Sequence, residues 1–222
     1  VIVRKLTAVE GLGSCTVIAS DKTGTLTVNQ QTAKLMYLAS GLQLEISGQG
    51  YNGEGEILGI KEIKNKDKKI LEDSIYSMVL ANEGSLMLKD NKWESHGDSM
   101  DVAFLALAYK ANYLISDIKK DNEILLEIPY ESERRYSACV YKNKKGEIKI
   151  AVKGSVDRVL DFCSSLDEAK KTKQKGIELA SLGYRVLAVA DGDFSFTEGL
   201  NLENFSDSKI KDLNFLSLVC FI

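Results

Sequence analysis

The stretch Asp21-Lys22-Thr23-Gly24-Thr25-Leu26-Thr27 directly follows a largely apolar run, Cys15-Thr16-Val17-Ile18-Ala19, and Ser20. The run predicts a buried strand, and the polar residues after it predict a turn that presents a carboxylate. Open α/β sheets bind their ligands at the carboxyl ends of strands. Gly24 lets the backbone approach an anion closely, and the threonine hydroxyls can donate hydrogen bonds. Asp21 is therefore a candidate nucleophile that would form an aspartyl-phosphate.

These seven residues resemble the phosphorylation signature of P-type ATPases, the ion pumps that pass through a phospho-aspartate. Residues 2–14 look like the segment that leads into this signature in type II pumps, which include the calcium and sodium/potassium pumps. The resemblance implies catalytic roles for Asp21, Lys22, Thr23 and Thr25, with Asp21 and Thr23 also holding Mg²⁺. The alternative interpretation is a strand and polar turn without chemistry.

The composition excludes several other classes of protein. The chain has 222 residues, of which 44% are hydrophobic and 27% are charged, as in ordinary globular proteins. A net charge of -3 does not indicate a nucleic-acid-binding surface. No run approaches the ~20 apolar residues of a membrane helix. Because the chain begins without Met, we expect it to be an excised piece of a longer protein.

The resemblance implies three segments. Residues 1–29 would begin a phosphorylation domain with a haloacid-dehalogenase-like Rossmann fold, in which residues 15–20 are the first strand. Residues 30–218 would form the inserted nucleotide-binding domain, and residues 219–222 would return towards the phosphorylation domain. The expected fold class is α+β, an antiparallel sheet flanked by helices, joined to the first strand and catalytic loop of the Rossmann domain.

Local patterns indicate several elements of the inserted domain. Residues 70–82 and 168–182 predict amphipathic helices, the second closed by Gly183. The lysine-rich residues 60–69 predict a solvated loop. The glycine-dense residues 47–55 could bind phosphate, but they lack a strand-then-helix context, so a hairpin connection is favoured.

The motif Gly97-Asp98-Ser99-Met100-Asp101 predicts the start of a helix, with Asp98 as the N-cap. A capped helix is a sufficient local interpretation. The motif also looks like the Gly-Asp-Pro-Thr-Glu motif of the P-type nucleotide-binding domain, whose Glu contacts the adenine amino group. Asp101 stands at that Glu and is one methylene shorter, so the resemblance implies a contact from Asp101 to adenine.

The segment Tyr130-Glu131-Ser132-Glu133-Arg134-Arg135 resembles the family's Phe-Asp-Ser-Glu-Arg-Lys. The resemblance implies that Tyr130 stacks on adenine, where an aromatic face contributes ~1–3 kcal/mol. Arg135 would replace a lysine near the phosphates, keeping the charge but changing its geometry. A charged turn between two strands is the alternative interpretation.

Two further sites follow. Lys153-Gly154-Ser155 ends a predicted hairpin and resembles the Lys-Gly-Ala motif, which implies that Lys153 projects into the nucleotide pocket and that Gly154 permits close backbone approach. The alternative, a helix N-cap, explains Ser155 but not Lys153. Arg185, which follows Gly183, resembles an Arg that reaches the nucleotide phosphates. A surface charge is the alternative there.

The resemblance implies the ATP-binding part of a cation-transporting ATPase, with ATP and Mg²⁺ as cofactors. The intact pump would transfer the γ-phosphate to Asp21, whereas this fragment alone is expected to be inactive. The expected partners are ATP, the rest of the phosphorylation domain, the actuator domain and the membrane helices, with no nucleic acid. The expected location is the cytoplasmic face of a membrane, which the fragment itself does not span.

Two other functions stay open. One is a stand-alone nucleotide-binding module that never forms a phosphoenzyme. The other is a fragment of a soluble haloacid-dehalogenase-like phosphatase. Many such phosphatases carry an Asp two residues after the nucleophile, and here that position is Thr23, which counts against a phosphatase.

Overall fold

The structure is a computed structural model that describes residues 15–17, 19, 20 and 30–222. Within residues 30–222, seven antiparallel strands form one sheet and two more form a separate hairpin. The sheet strands are β1 (Ala33–Leu38), β2 (Gln43–Glu45), β5 (Asn122–Ile128), β6 (Tyr136–Asn143), β7 (Ile148–Ser155), β8 (Arg185–Asp193) and β9 (Asn214–Phe221). The hairpin strands are β3 (Ser85–Lys89) and β4 (Lys92–His96).

The strand order in the sheet is β2-β1-β9-β8-β7-β6-β5. The described helices are α1 (Asn65–Leu80), α2 (Ser99–Lys110), α3 (Ile115–Lys120), α4 (Val156–Leu160), α5 (Leu166–Ser181) and a 3₁₀ turn (Asp207–Lys209). The predicted antiparallel sheet flanked by helices is confirmed. None of the described helices has the length and apolar character needed to cross a membrane.

Helices cover both faces of the sheet, which explains the burial of its central strands. In β6, the first six residues are all buried, because alternate side chains enter cores on opposite faces. One core contains the apolar residues of α1 and α2, and the other contains those of α4 and the β8–β9 connection. Phe104 of α2 packs edge-on against Phe221 of β9, with ring centroids 4.9 Å apart. This contact holds α2 against the sheet.

The structure differs from the sequence prediction at the amino-terminal strand. The described residues of the 15–20 run lie outside any strand and are exposed, with Val17 81% exposed. A strand needs a neighbouring strand to satisfy its backbone N–H and C=O groups. None of the described strands pairs with residues 15–20. The predicted catalytic loop, with Asp21, Lys22, Thr23 and Thr25, lies outside the described residues.

The last strand extends past residue 218, where the inserted domain is predicted to end. β9 lies between β1 and β8 and continues to Phe221, so the predicted boundary at residue 218 falls inside a strand. Cys220 is opposite Leu35 on one side and Val186 on the other. Residues 219–221 therefore complete the sheet, because both neighbouring strands need their backbone partners.

Two local predictions are refined. α1 begins at Asn65, five residues before the predicted start at residue 70, because charged side chains can face solvent along a helix. An ion pair of 2.8 Å from Lys69 to Asp73 supports its first turns. The glycine-dense turn connects an antiparallel bridge of Ile46 with Ile57. A Cβ on Gly48 would lie 2.0 Å from the carbonyl oxygen of Glu54, so this turn closes on its own backbone.

The pairing of β6 and β7 requires a glycine at position 154. Gly154 is opposite Tyr136, and a Cβ there would lie 2.4 Å from the carbonyl oxygen of Arg135. We therefore expect Gly154→Ala to lower the free energy of unfolding by about 3 kcal/mol, measured by urea denaturation.

Gly192→Ala is the matched control, because Gly192 also lies inside a strand of the sheet. A Cβ there would lie 2.7 Å from the Leu213 Cδ2, the end of a side chain, which can shift more easily than the backbone oxygen that Gly154 faces. We expect it to lower the free energy of unfolding by less than about 1 kcal/mol. Equal losses in the two variants would contradict this explanation of Gly154.

Candidate functional site

A cavity of about 620 Å³ opens between the amino-terminal end of α2, the turn between β5 and β6, and the adjoining ends of β7 and β8. Its volume lies within the ~300–1,000 Å³ of typical ligand sites. Every residue predicted to bind nucleotide lines it: Asp101, Tyr130, Arg135, Lys153, Gly154 and Arg185. A second cavity of about 620 Å³, beside residues 60–63 and α1, contains none of them.

Asp101 and Lys153 form a buried ion pair at the inner end of the cavity. The Lys153 Nζ lies 2.5 Å from the Asp101 Oδ1, and the two side chains are only 6% and 11% exposed. The same ammonium lies 5.3 Å from the ring centroid of Phe104. The sequence predicted Lys153 as a point charge projecting into the pocket, whereas the structure pairs it with Asp101. A buried ammonium needs a counter-charge, and Asp101 supplies it.

The start of α2 sets the position of Asp101. Asp98 is the N-cap, as predicted, and its Oδ1 accepts a hydrogen bond of 2.8 Å from the backbone N–H of Met100. Asp101 is then the third residue of the helix and lines the cavity. Gly97 precedes the cap with φ +110°, and a Cβ there would lie 2.8 Å from the Cα of Gly84. The close packing of these two backbones fixes the direction in which α2 begins.

Tyr130 and Arg135 lie at the two ends of the β5–β6 turn. Tyr130 is 54% exposed, so much of its ring is available to a ligand. Its backbone N–H donates to the Oε1 of Glu83 at 2.8 Å. Arg135 has φ +59°, and its backbone N–H donates to the carbonyl of Glu131 at 2.7 Å, which closes the turn. The Arg135 side chain is exposed.

The ends of β7 and β8 supply the remaining predicted residues. Because Gly154 has no side chain, β7 can lie close to the backbone of Arg135 and Tyr136, where β6 begins. Arg185 begins β8 and is exposed. Ser155 occupies the N-cap position of α4, but its hydroxyl makes no capping hydrogen bond. In the described part of the chain, that buried hydroxyl has no hydrogen-bond partner.

A polar cluster behind the cavity secures the start of β6. Tyr136 is fully buried, and its hydroxyl donates a hydrogen bond of 2.6 Å to the Oδ1 of Asp207. Arg158 of α4 binds the other oxygen of that carboxylate. Burial and, after it, the hydrogen bond to Asp207 raise the pKa of the Tyr136 hydroxyl, so it remains a neutral donor at physiological pH. This cluster fixes the backbone next to Arg135.

The charges of the cavity are balanced. Among the described residues that line it, the acidic ones are Glu83, Asp98 and Asp101, and the basic ones are Arg135, Lys153 and Arg185. Lys153 and Asp101 neutralise each other, and Asp98 caps a helix. Arg135 and Arg185 are therefore the exposed cations that an anionic ligand would meet.

Sequence analysis did not identify Glu83 or Phe104, which also line the cavity. Phe104 lies three residues after Asp101 on the same helix, and that spacing could have placed it on the same face. Glu83 lies in a connection without periodicity, so no local pattern indicates its contact with Tyr130. In the described residues, no group of three or more His, Cys, Asp or Glu side chains could hold a metal ion.

Comparison with known proteins identifies the family. Residues 71–222 match the family model described as P-type ATPase, cytoplasmic domain N, and the chain belongs to that family. It is 37% identical over 204 residues to the cation-transporting ATPase pma1 of Synechocystis sp., covering 85% of this chain and 22% of that protein. It is 36% identical over 208 residues to the calcium-transporting ATPase type 2C member 2 of Mus musculus, covering 86% of this chain and 21% of that protein.

A calcium-transporting ATPase of Bacillus subtilis is also similar. It is 28% identical over 229 aligned residues, covering 98% of this chain and 25% of that protein. The chain thus spans about a fifth to a quarter of the length of these curated relatives. The resemblance to P-type ATPases seen in the sequence motifs is therefore confirmed.

The buried ion pair can be tested by a double-mutant cycle. We expect Lys153→Met to lower the free energy of unfolding by about 3–5 kcal/mol, because it leaves the Asp101 carboxylate buried without its counter-charge. Adding Asp101→Leu should recover part of that loss, with a coupling energy of about 1–3 kcal/mol in urea denaturation.

Lys142→Met, on the neighbouring strand β6, is the control. Lys142 is exposed, so its loss should cost less than about 1 kcal/mol. Strictly additive losses in the Lys153→Met and Asp101→Leu variants would show that the two side chains do not stabilise each other.

Proposed function

We propose that this chain is the ATP-binding part of a cation-transporting P-type ATPase. The observation that carries the proposal is that every residue assigned to nucleotide binding from the sequence motifs lines one cavity. These residues come from α2, β7, β8 and the β5–β6 turn, so their sequence positions alone do not bring them together. Membership of the P-type ATPase domain N family supports the same function.

Three kinds of group in the cavity suit a purine base. The exposed ring of Tyr130 offers a stacking surface on one side. Phe104 and Leu187 supply apolar wall, and Asp101 supplies a carboxylate that can accept from an exocyclic amino group. Asp101 already accepts from Lys153 and from the backbone N–H of Glu83. Each carboxylate oxygen has two lone pairs, so a further hydrogen bond remains available.

Two exposed arginines of the cavity suit the phosphates. Arg135 and Arg185 are exposed cations at the edge of the cavity, and guanidinium groups bind phosphate oxygens in a bidentate way. Both lie near solvent, so their attraction for phosphate is screened and binding should be weak to moderate. Mg²⁺ would enter with the triphosphate and partly neutralise its charge.

In the intact protein, Asp21 would attack the γ-phosphorus of ATP, forming an acyl phosphate and releasing ADP. This step needs in-line placement of the carboxylate and neutralisation of the phosphoryl charge. Asp21 and Thr23 would hold Mg²⁺, with Lys22 and Thr25 beside them. We place residues 1–29 at the start of the phosphorylation domain and the sheet domain after them, with its end moved from residue 218 to the end of β9.

The remaining parts of the proposal concern the whole pump. The rest of the phosphorylation domain, an actuator domain and membrane helices would convert phosphorylation of Asp21 into cation transport. The chain described here would lie on the cytoplasmic face of that membrane and would not catalyse ATP hydrolysis alone. The named relatives transport cations, and two of them are described as calcium-transporting.

An ATP titration followed by backbone NMR tests the proposed binding site. We expect saturable shifts at the cavity, with a Kd between about 10 μM and 1 mM for a stacked base with exposed phosphate contacts. Tyr130→Ala should weaken binding about tenfold or more, because it removes the stacking surface. Arg185→Ala should weaken it by a smaller factor that shrinks as salt is added.

The matched control for the arginine is Lys145→Ala, which removes an exposed cation from the β6–β7 turn, outside the cavity. The Kd of the Lys145→Ala variant for ATP should equal that of the unmodified chain. Shifts centred on the glycine-dense 47–55 turn, or an unchanged Kd in Tyr130→Ala, would contradict nucleotide binding in this cavity.

A further inference from the structure

The connection between α1 and β3, residues 81–84, contacts both sides of the cavity. On one side, the Asn82 Nδ2 donates to the backbone carbonyl of Asp101 at 2.9 Å. The backbone N–H of Glu83 donates to the Asp101 Oδ2 at 3.3 Å. On the other side, the Ser137 Oγ of β6 donates to the carbonyl of Ala81 at 3.0 Å. The 81–84 connection therefore links α2 to the sheet edge that carries the β5–β6 turn.

Glu83 extends this link to the stacking residue. Its Oε1 accepts a hydrogen bond of 2.8 Å from the backbone N–H of Tyr130. The β5–β6 ladder ends at the pair of Ile128 with Ala138, so the ladder does not hold that amide. One residue thus contacts Asp101 through its main chain and Tyr130 through its side chain.

The other members of the connection have different surroundings. Asn82 is 5% exposed and Ser137 is 2% exposed, so both act within the protein interior. Glu83 is exposed and lines the cavity. A change at Glu83 can therefore alter the position of Tyr130 without removing buried packing.

We infer that Glu83 is a positioning residue of the nucleotide site, which holds Tyr130 at a fixed separation from Asp101. This inference rests on the proposed binding of ATP in the cavity. Glu83 need not touch the nucleotide, because it acts through the backbone of Tyr130. Without the Glu83 carboxylate, the turn that carries the aromatic ring loses its attachment to the α2 side of the cavity, and binding must first order that turn.

Two substitutions separate positioning from simple electrostatics. Glu83→Ala removes both the negative charge and the acceptor, and we expect ATP binding about tenfold weaker by calorimetry. Glu83→Gln removes the charge but keeps a carbonyl oxygen at the same distance, so its Kd should lie within about twofold of the unmodified chain. If Glu83 acted only by repelling phosphate, both variants would bind ATP more tightly.

The experiment uses the 222-residue chain with MgATP, together with the reference variants Tyr130→Ala and Glu127→Ala. Glu127→Ala removes another exposed glutamate three residues before Tyr130 and should leave the Kd unchanged. The amide resonance of Tyr130 provides a readout without nucleotide, and it should move in Glu83→Ala and much less in Glu83→Gln.

The outcomes separate the role of Glu83 from the proposed binding of ATP. If Tyr130→Ala weakens binding but Glu83→Ala binds ATP as the unmodified chain does, the role of Glu83 is overturned and the proposed function stands. If the unmodified chain does not bind MgATP at all, the proposed function fails, and this inference fails with it. Weakening in Glu83→Ala with rescue in Glu83→Gln supports both.

Discussion

The cavity depends on the ion pair between Asp101 and Lys153. It joins the first turn of α2 to the end of β7, and both side chains are almost fully buried. Burying two charges costs free energy, and their attraction repays that cost only with short distances and further hydrogen bonds. Here the second oxygen of Asp101 accepts from the backbone N–H of Glu83, and the ammonium lies near the ring of Phe104. Because the pair joins α2 to β7, it constrains where the first turn of α2 lies relative to the sheet.

That constraint explains how distant segments form one site. α2 supplies the carboxylate, the β5–β6 turn supplies the aromatic ring, and the ends of β6, β7 and β8 supply the remaining contacts. The turn begins beyond the last pair of the ladder, so it needs a separate attachment, which Glu83 provides. The basic groups that remain for a ligand, Arg135 and Arg185, are exposed, as is the acidic Glu83. The cavity thus combines a buried, neutral ion pair with solvated cations.

Local patterns in the sequence predicted several strands and most helices, and the resemblance to P-type ATPases predicted the antiparallel sheet and six of the residues that line the cavity. Alternation marks the β6–β7 hairpin, Asp98 marks the start of α2, and the matching motifs marked Asp101 and Lys153. What it could not predict depends on pairing across the fold. The 15–20 run has strand-like composition but no neighbouring strand among the described ones. The pairing of Lys153 with Asp101, and the hydrogen bond from Tyr130 to Glu83, join residues 52 and 47 positions apart, and no periodicity encodes such contacts.

The most direct test of nucleotide binding in this cavity is a crystal structure of this chain with a non-hydrolysable ATP analogue and Mg²⁺. We expect the base to stack on Tyr130, beside an intact Asp101–Lys153 ion pair, with the triphosphate directed towards Arg135 and Arg185. Only small backbone changes are expected, because the walls of the cavity are already in place. A nucleotide bound in the cavity beside residues 60–63, or at the 47–55 turn, would contradict nucleotide binding between Tyr130 and Asp101.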